Sequence, residues 1–355
     1  MPASWTFAVA RDDLGETTLI DGETPALSDG EALLRVDRVG LTANNVTYAV
    51  LGESMRYWQF FPPEARGLGR RWGLPPLWGF ADVVESTVPG VAAGLRVYGY
   101  LPSAGHLVVR PDRVDASGFR DASAHRCDLP SPYNAYRATA GDPAYRPDLE
   151  DLLILFRPLF FTSFMLADQV IDEDCYGAAS LVLSSASSKT AYAAAFELHG
   201  RGPRLVGLTS PGNLEFTRSL GCYDEVVSYD EAGGLPAVPT AYLDLSGAPS
   251  TRAALRRRLG ELLVRDVAVG LTNKIPNADA AGEVFFAPAR MRKRRLDWGR
   301  EELDRRFAEA WQRFAGVVGG WLDVRVGAGP DALRGAWLEV LEGRTPARTG
   351  RVVQL

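Results

Sequence analysis

Apolar strands alternate with alanine-rich helices between Leu181 and Asp230, and this alternation constrains the fold more than any other feature. A strand leads into the serine-rich turn Ser184–Thr190 and a helix, and two further strands with a helix between them follow. Such alternation predicts a parallel, nucleotide-binding sheet. The turn occupies the position of the glycine-rich fingerprint, although it contains no glycine.

The composition limits the number of domains, the kinds of partner and the cellular compartment that we expect. With 355 residues, the chain is long enough for two domains. The net charge of −5 gives no reason to expect a nucleic acid or an anionic membrane as partner. Three widely spaced cysteines predict no disulfide framework and favour a reducing compartment. No signal peptide or membrane span is visible, so we expect a cytoplasmic protein.

The chain divides by pattern into three parts. Residues 1–150 consist of short alternating strands separated by Gly, Pro and Asp turns, which predicts a β-rich domain with little helix. Residues 151–285 carry a long apolar helix and then the strand–helix repeats of a nucleotide-binding domain. Residues 286–355 are mostly helical and end in a strand. The expected class is therefore α/β.

The turn after the first buried strand is the candidate phosphate site. Backbone N–H groups and the helix dipole at a helix N-terminus attract phosphate. Serine is a small substitute for glycine, its hydroxyl can bond a phosphate oxygen, and a lysine adds positive charge. The residues predicted to contact the cofactor here are Ser185, Ser187, Ser188, Lys189 and Thr190.

The end of the next strand bears on which nicotinamide cofactor is used. NAD enzymes place an acidic residue there to bind the ribose 2′-hydroxyl. This strand is followed by Ser210 and Asn213 with no acid, which leaves room for the 2′-phosphate of NADP(H). We predict that Ser210, Asn213 and Lys189 bind that phosphate. The alternative is that Ser210 only caps the following helix.

The order of elements resembles the medium-chain dehydrogenase/reductase superfamily, in particular its zinc-free quinone oxidoreductase and enoyl reductase branch. Ser185, Ser188 and Ala191 fall where the three glycines of that superfamily stand, and Tyr229 matches a tyrosine often seen near the third strand. The phrases RPLFFTSF, SSASSKTA and GLTSPGN resemble an uncharacterised branch, a family of unknown function.

The resemblance implies an architecture. An N-terminal chaperonin-10-like β-barrel domain would be joined to a Rossmann domain with a doubly wound parallel sheet. The segment 286–355 would return to the catalytic domain. The resemblance also implies a homodimer, and it places Tyr229 among the residues that bind the cofactor.

The zinc-dependent alcohol dehydrogenases need a Cys, a His and a third ligand at the active metal, together with a four-cysteine lobe that three cysteines cannot form. The one close His–Cys pair, His125 and Cys127, lies in a loop-like stretch. We therefore predict no metal. Hydride transfer without zinc requires a group that polarises or protonates the substrate oxygen. The resemblance points to Asn44 and Tyr48, with Asn45 beside them. An ordinary buried tyrosine and a turn asparagine pair are the alternative.

Substrate contacts are predicted from two places. Tyr57 and Trp58 belong to an aromatic stretch that fits a lid over an apolar substrate, or else packs inside the domain. Arg157 precedes a helix that passes beside the nicotinamide in the superfamily, which would let Thr162 touch the cofactor. Arg157 could equally serve a structural ion pair.

These expectations combine into an NADPH-dependent, metal-free reductase of a small ketone, quinone or α,β-unsaturated carbonyl. Two alternatives stay open: a cofactor-using lyase, isomerase or decarboxylase of secondary metabolism, and a non-catalytic NADPH-binding protein. The basic run 290–295 could contact an anionic partner such as a phosphopantetheine carrier that holds the substrate, or could be a solvated helix start.

Overall fold

The structure is a computed structural model, and it describes residues 4–269 and 283–355. The chain folds into two compact units. The first unit comprises Met1–Leu155 and Asp323–Leu355, and the second comprises Phe156–Leu322. Each unit is described separately below.

The strands are β1 Ser4–Ala10, β2 Thr17–Gly22, β3 Ala32–Leu41, β4 Trp72–Gly73, β5 Leu77–Ser86, β6 Arg96–Leu101, β7 His106–Val109, β8 Pro111–Asp115, β9 Gly118–Asp121, β10 Ala135–Ala138, β11 Ser180–Leu183, β12 Arg204–Thr209, β13 Glu225–Ser228, β14 Thr240–Asp244, β15 Leu263–Val269, β16 Glu283–Phe285, β17 Asp323–Ala328 and β18 Thr349–Gln354. The α-helices are α1 Ala43–Val50, α2 Glu150–Asp172, α3 Lys189–Leu198, α4 Leu214–Ser219, α5 Pro249–Leu259, α6 Ala287–Trp298, α7 Arg300–Trp321 and α8 Gly329–Leu341.

The second unit contains a six-stranded, fully parallel sheet. Its strand order is β13-β12-β11-β14-β15-β16, which numbers as 3-2-1-4-5-6 when counted from β11. This is the order of a dinucleotide-binding sheet, and the order reverses between β11 and β14. The expected strand–helix alternation is therefore present. The predicted end of the fifth strand, at residues 270–273, lies outside the described residues.

Aromatic side chains hold three helices of the second unit together. The ring of Phe314 on α7 lies 4.9 Å from that of Phe160 and 5.2 Å from that of Phe156, both on α2. Phe156 also contacts Tyr192 on α3 at 6.0 Å. Because this apolar face is buried among α2 and α3, α7 belongs to the second unit. The chain accordingly returns to the first unit at Asp323, later than the expected residue 286.

The first unit is built from antiparallel sheets. Its main sheet has the order β17-β18-β3-β5-β6-β10-β9-β8, with β7 also paired to β3, and its only parallel pair among the described strands is β17 with β18. A smaller sheet has the order β2-β1-β4. Apolar residues from both sheets and from α8 form one buried cluster.

One segment of the first unit differs from the prediction. Little helix was expected in residues 1–150, but the stretch that begins at Ala43 forms the helix α1. Thr42 and Asn45 close a capping box at its start, in which the Thr42 amide donates to Asn45 Oδ1 at 2.8 Å. Such a box satisfies amides that the first helical turn leaves without partners.

Candidate functional site

The turn between β11 and α3 has the backbone shape of a glycine turn without glycine. Ser185 lies in the left-handed region with φ of 51°, a conformation that costs a non-glycine residue about 1–2 kcal/mol. Its amide donates to the Tyr229 hydroxyl at 2.8 Å, and its carbonyl accepts from the Ser188 amide at 2.7 Å. The Ser188 hydroxyl then caps α3 by accepting from the Ala191 amide.

Part of this turn is available to an anion. Among the described residues, no acceptor lies on the backbone amides of Ser187 and Thr190 at the start of α3. The hydroxyl of Ser187 accepts from the Thr209 hydroxyl at 3.2 Å. Lys189 keeps part of its side chain exposed, yet the surrounding protein lowers its pKa to about 8. The predicted phosphate-binding residues are thus gathered at the carboxyl end of β11.

The end of β12 carries two of the predicted contacts. Ser210 and Asn213 are joined by a hydrogen bond from Asn213 Nδ2 to Ser210 Oγ at 3.0 Å. The Ser210 hydroxyl makes no capping bond to the single 3-10 turn Pro211–Asn213 that follows. Capping of this turn therefore does not account for Ser210, whose hydroxyl instead accepts from the side-chain amide of Asn213.

Helix α2 is joined to the first turn of α3 by Ser163, the neighbour of the predicted cofactor contact Thr162. Thr162 Oγ1 donates back to the Pro158 carbonyl at 3.2 Å within its own helix. The neighbouring Ser163 donates to the Thr190 carbonyl at 2.7 Å and so ties α2 to the first turn of α3. The Arg157 guanidinium lies 5.8 Å from the centre of the Phe307 ring.

In the first unit, α1 presents a bonded pair of the predicted residues. Asn44 Nδ2 donates to the Tyr48 hydroxyl oxygen at 2.7 Å, one helical turn away. Trp78 Nε1 on β5 donates to the same oxygen at 3.1 Å. Tyr48 is only 6% exposed, and burial raises the pKa of its hydroxyl far above the ordinary value. The hydroxyl is therefore protonated at all physiological pH values.

Asn45 lies outside this group. Its Oδ1 accepts from the Thr42 amide, and its Nδ2 donates to the Pro76 carbonyl at 2.9 Å. Both polar ends of the side chain are thus occupied in holding the start of α1 against the segment before β5. The structure brings Asn44 and Tyr48 together and leaves Asn45 with a local role.

Tyr57 and Trp58 are both buried, but their side chains pack in different places. Tyr57 joins Tyr48, with ring centres 4.7 Å apart, and its hydroxyl lies 3.1 Å from that of Tyr133. Trp58 packs in the core against Gly52 and Gly73, where no Cβ would fit beside its ring. The Arg11 guanidinium lies 5.7 Å from the same ring.

The structure brings two further tyrosines to this site, and one of them, Tyr100, was not predicted as a site residue from the sequence. Tyr100 and Tyr133 lie with their ring centres 4.8 Å apart, and both pack against Tyr48. The Tyr100 hydroxyl is buried, and none of the residues that the structure describes forms a hydrogen bond with it. We call Tyr48, Tyr57, Tyr100 and Tyr133 the tyrosine cluster. The only sequence signal for Tyr100 was the alternation of strand β6, which directs it to the core side.

A buried ion pair supports the tyrosine cluster. The side chains of Arg126 and Asp121 are both 0% exposed and are paired at 3.0 Å. Arg126 also donates to the Tyr133 carbonyl at 2.7 Å and to the Tyr136 hydroxyl at 2.9 Å. Because Arg126 lies in a loop-like stretch of sequence, neither its burial nor its partners could be read from local pattern.

Two further predictions concern metals and anions. Within residues 4–269 and 283–355, no three His, Cys, Asp or Glu side chains come together as a metal site. The basic run lies on α6, where Arg290 and Arg294 are buried and paired with Asp168. The exposed Arg292 and Arg295 are the members of the run left for an anionic partner. No described helix combines the length and apolar character needed to cross a membrane.

Comparison with known proteins places the chain. The family described as "Protein of unknown function (DUF2855)" matches residues 39–346. The chain belongs to this family. No match to this DUF2855 protein was found among curated proteins.

Solved structures share the fold of the DUF2855 chain. CurA from Vibrio vulnificus in complex with NADPH is 13% identical with a TM-score of 0.63, and the match covers 99% of this chain and 98% of that chain. A quinone oxidoreductase from Coxiella burnetii is 12% identical with a TM-score of 0.56, and CurK enoyl reductase is 14% identical with a TM-score of 0.53. Both of these matches cover 99% of each chain.

These likenesses establish the fold. The expected α/β class, with a chaperonin-10-like β-rich domain and a Rossmann domain, is confirmed. A quinone oxidoreductase and an enoyl reductase are among the solved structures that share this fold, and the predicted membership of a family of unknown function is confirmed.

Proposed function

We propose that this DUF2855 protein is an NADPH-dependent, metal-free reductase of a small ketone, quinone or α,β-unsaturated carbonyl. The observation that carries the proposal is the Tyr48 hydroxyl, which accepts hydrogen bonds from both Asn44 and Trp78. A parallel sheet of dinucleotide-binding order in the same chain supports it. CurA, which shares the fold, was crystallised with NADPH.

The turn after β11 fits the diphosphate of a dinucleotide. Its left-handed residue Ser185 and the amides of Ser187 and Thr190 offer the donors that a phosphate needs at a helix N-terminus. Ser210, Asn213 and Lys189 would hold the 2′-phosphate, because no carboxylate follows β12 to repel it. Tyr229 and Thr162 would complete the set of contacts. When bound, NADPH supplies a hydride.

Tyr48 is suited to give the accompanying proton. An indole N–H only donates, so the Trp78 contact must use a lone pair of the Tyr48 oxygen. The Asn44 amide uses the other, and the hydroxyl proton is directed away from both, while the Tyr133 hydroxyl is also within hydrogen-bonding distance of Tyr48 and would have to give way to a substrate oxygen. A carbonyl or enolate oxygen placed there would receive a hydrogen bond or the proton itself. Tyr57 and Arg157 are the proposed substrate contacts, while Trp58 would act through packing.

The first test is titration of the purified protein with NADPH and NADH, followed by tryptophan fluorescence and calorimetry. We expect NADPH to bind in the micromolar range and NADH more weakly. Lys189→Ala and Ser210→Asp should weaken NADPH binding, the second by charge repulsion. A protein that binds neither nucleotide would refute the proposed cofactor.

A carbonyl panel then separates the reductase from its alternatives. Tyr48→Phe should bind NADPH as well as the wild type and lose turnover, because it keeps the ring and lacks the proton. Product formation without net NADPH oxidation would favour a lyase, isomerase or decarboxylase. Tight binding with no turnover of any carbonyl would favour a non-catalytic NADPH-binding protein.

Two expectations about partners belong to the same proposal. A carrier-bound substrate would use the exposed Arg292 and Arg295 on α6, and their replacement by serine should then slow turnover of carrier-bound substrate alone. A homodimer is expected from the resemblance, and sedimentation of the purified protein tests it.

A further inference from the structure

A buried acidic residue links the two strands at the switch point of the parallel sheet. Asp244, the last residue of β14, is 3% exposed. Ser184, which directly follows β11, donates to Asp244 Oδ1 at 2.8 Å. The hydroxyl of Ser184 also accepts from the amides of Leu245 and Ser246, at 2.9 and 3.0 Å. One serine side chain therefore fixes the exit of both strands.

The Asp244 carboxylate is itself held from several sides. Tyr242 donates to Oδ1 at 2.9 Å, and the amides of Ser246 and Gly247 each donate at 3.0 Å. Arg252 on α5 pairs with Oδ2 at 3.0 Å. A buried carboxylate with this many donors is fixed in position, so the hydroxyl that it holds is also fixed.

The residue after Ser184 is the strained one. Ser185 occupies the left-handed region, which only glycine adopts without cost. Strained residues persist where the surrounding structure determines their conformation from both sides. On the far side, Ser185 is held by Tyr229 and Ser188. On the near side, the Ser184–Asp244 bond is the anchor.

We propose that Asp244 and Ser184 are positioning residues that hold Ser185 in the left-handed conformation which a dinucleotide turn requires. The pair would compensate for the missing glycine of the fingerprint. The inference rests on the proposed function in so far as the turn binds NADPH. Neither side chain touches the cofactor in this account, since both act through the backbone of Ser185.

The test is a rescue experiment. Ser184→Ala removes the anchor and should weaken NADPH binding roughly tenfold, which corresponds to about 1.4 kcal/mol. Ser185→Gly, added to Ser184→Ala, should restore binding to within about threefold of the wild type, because glycine adopts the left-handed region freely. Ser185→Gly alone gives the reference affinity for judging that recovery, because Ser185 itself belongs to the proposed binding turn.

Ser246→Ala is the matched control. It removes the hydroxyl hydrogen bond at 2.9 Å to the same Asp244 carboxylate and keeps the amide that donates to Ser184, so it should lower stability with little effect on NADPH affinity. Ser185→Gly should give no rescue in that background. If Ser184→Ala does not yield folded protein, Ser184→Cys, which keeps a weak donor and acceptor, takes its place.

A second readout keeps the inference separate from the proposed function. Urea unfolding of the same four proteins (wild type, each single variant and the double variant) gives the coupling between positions 184 and 185. If the double variant loses less stability than the sum of the losses in the two single variants, the role of Ser184 as anchor is supported. That result holds even if the wild type binds no NADPH, in which case only the proposed function fails. Additive losses, or a Ser184→Ala defect in binding that Ser185→Gly leaves unchanged, would overturn the inference.

Discussion

At the scale of single residues, the side-chain amino group of Lys189 has a pKa close to neutral pH. Burial at the start of α3 lowers its pKa to about 8, well below that of a solvated lysine. A bound phosphate would favour the charged form and raise that pKa again. Binding and protonation are therefore coupled at this position.

NADPH affinity should then depend on pH in one direction. Below pH 8 Lys189 is already charged and affinity should be constant, whereas above pH 8 it should fall by up to about tenfold per pH unit as binding takes up a proton. Calorimetry at pH 7 and pH 9, in two buffers of different ionisation enthalpy, measures that uptake. Lys189→Met should bind more weakly with a flat profile, and a flat wild-type profile would contradict the assignment.

The buried pair Arg126–Asp121 makes a second prediction at this scale. Arg126→Met leaves the Asp121 carboxylate without its cation in the core, and we expect a loss of about 3–5 kcal/mol in the free energy of unfolding. The matched control is Arg71→Met, whose pair with Glu16 has side chains 50% and 43% exposed and should contribute little because water screens the two charges. Urea denaturation compares them, and equal losses would contradict this account.

At the scale of elements, the pairing of β3 with β5 depends on the absence of a side chain. A Cβ at Gly79 would lie 2.1 Å from the carbonyl oxygen of Arg38, a backbone atom that the ladder holds in place. Strand β5 therefore has room only for glycine at this position. Helix α8 offers the opposite case, since a Cβ at Gly335 would meet no atom within 4 Å.

Alanine should consequently have opposite effects at these two glycines. Gly79→Ala should lower the free energy of unfolding by about 1–3 kcal/mol or more through steric overlap. Gly335→Ala should raise it by about 1 kcal/mol, because glycine is a poor helix former. Thermal unfolding followed by circular dichroism measures both, and a stabilising Gly79→Ala would show that β3 and β5 pair differently.

At the scale of the whole molecule, two units with separate cores share one chain. The parallel sheet and its helices lie in residues 156–322, and the proposed cofactor contacts all belong to that unit. The tyrosine cluster belongs to the other unit. A ligand that binds only the folded second unit stabilises that unit by mass action.

Saturation with NADPH should therefore protect the second unit from hydrogen exchange. At about 100 times the dissociation constant, NADPH should add about 2.7 kcal/mol to the stability of the second unit. Hydrogen exchange should show this slowing in β11, β12 and β14 first. Lys189→Met at the same NADPH concentration is the control, and uniform slowing over both units would contradict a cofactor site confined to the second.

How much of the structure could be predicted from the sequence depends on how far apart in the chain the interacting residues lie. The strand–helix alternation of the parallel sheet could be predicted because buried strands and alanine-rich helices are local patterns. The spacing of Asn44 and Tyr48 could be recognised, yet their contact depends on α1, which Thr42 and Asn45 start by a capping box in what looks like a turn sequence. Which of the two asparagines faces Tyr48 became clear only with the helix.

Long-range partners account for the rest. Arg126 can be buried because Asp121, Tyr133 and Tyr136 bind its guanidinium. No local sequence pattern predicts such a set of partners. The change of unit at Asp323 depends on α7 packing against α2 and α3, far away in sequence. The roles of the individual site residues remain predictions that the titrations and variants above decide.

The serine turn after β11 has a consequence for how this lineage can vary. Exchange between serine and glycine should be almost neutral at Ser188, where a helix cap accepts either residue at a difference of a few tenths of a kcal/mol. At Ser185 glycine relieves strain, whereas Ser184 has no such freedom because its hydroxyl makes three bonds. A fingerprint can therefore lose its glycines by small steps while the turn keeps its shape, and a search for the glycines alone would overlook every chain that has taken that path.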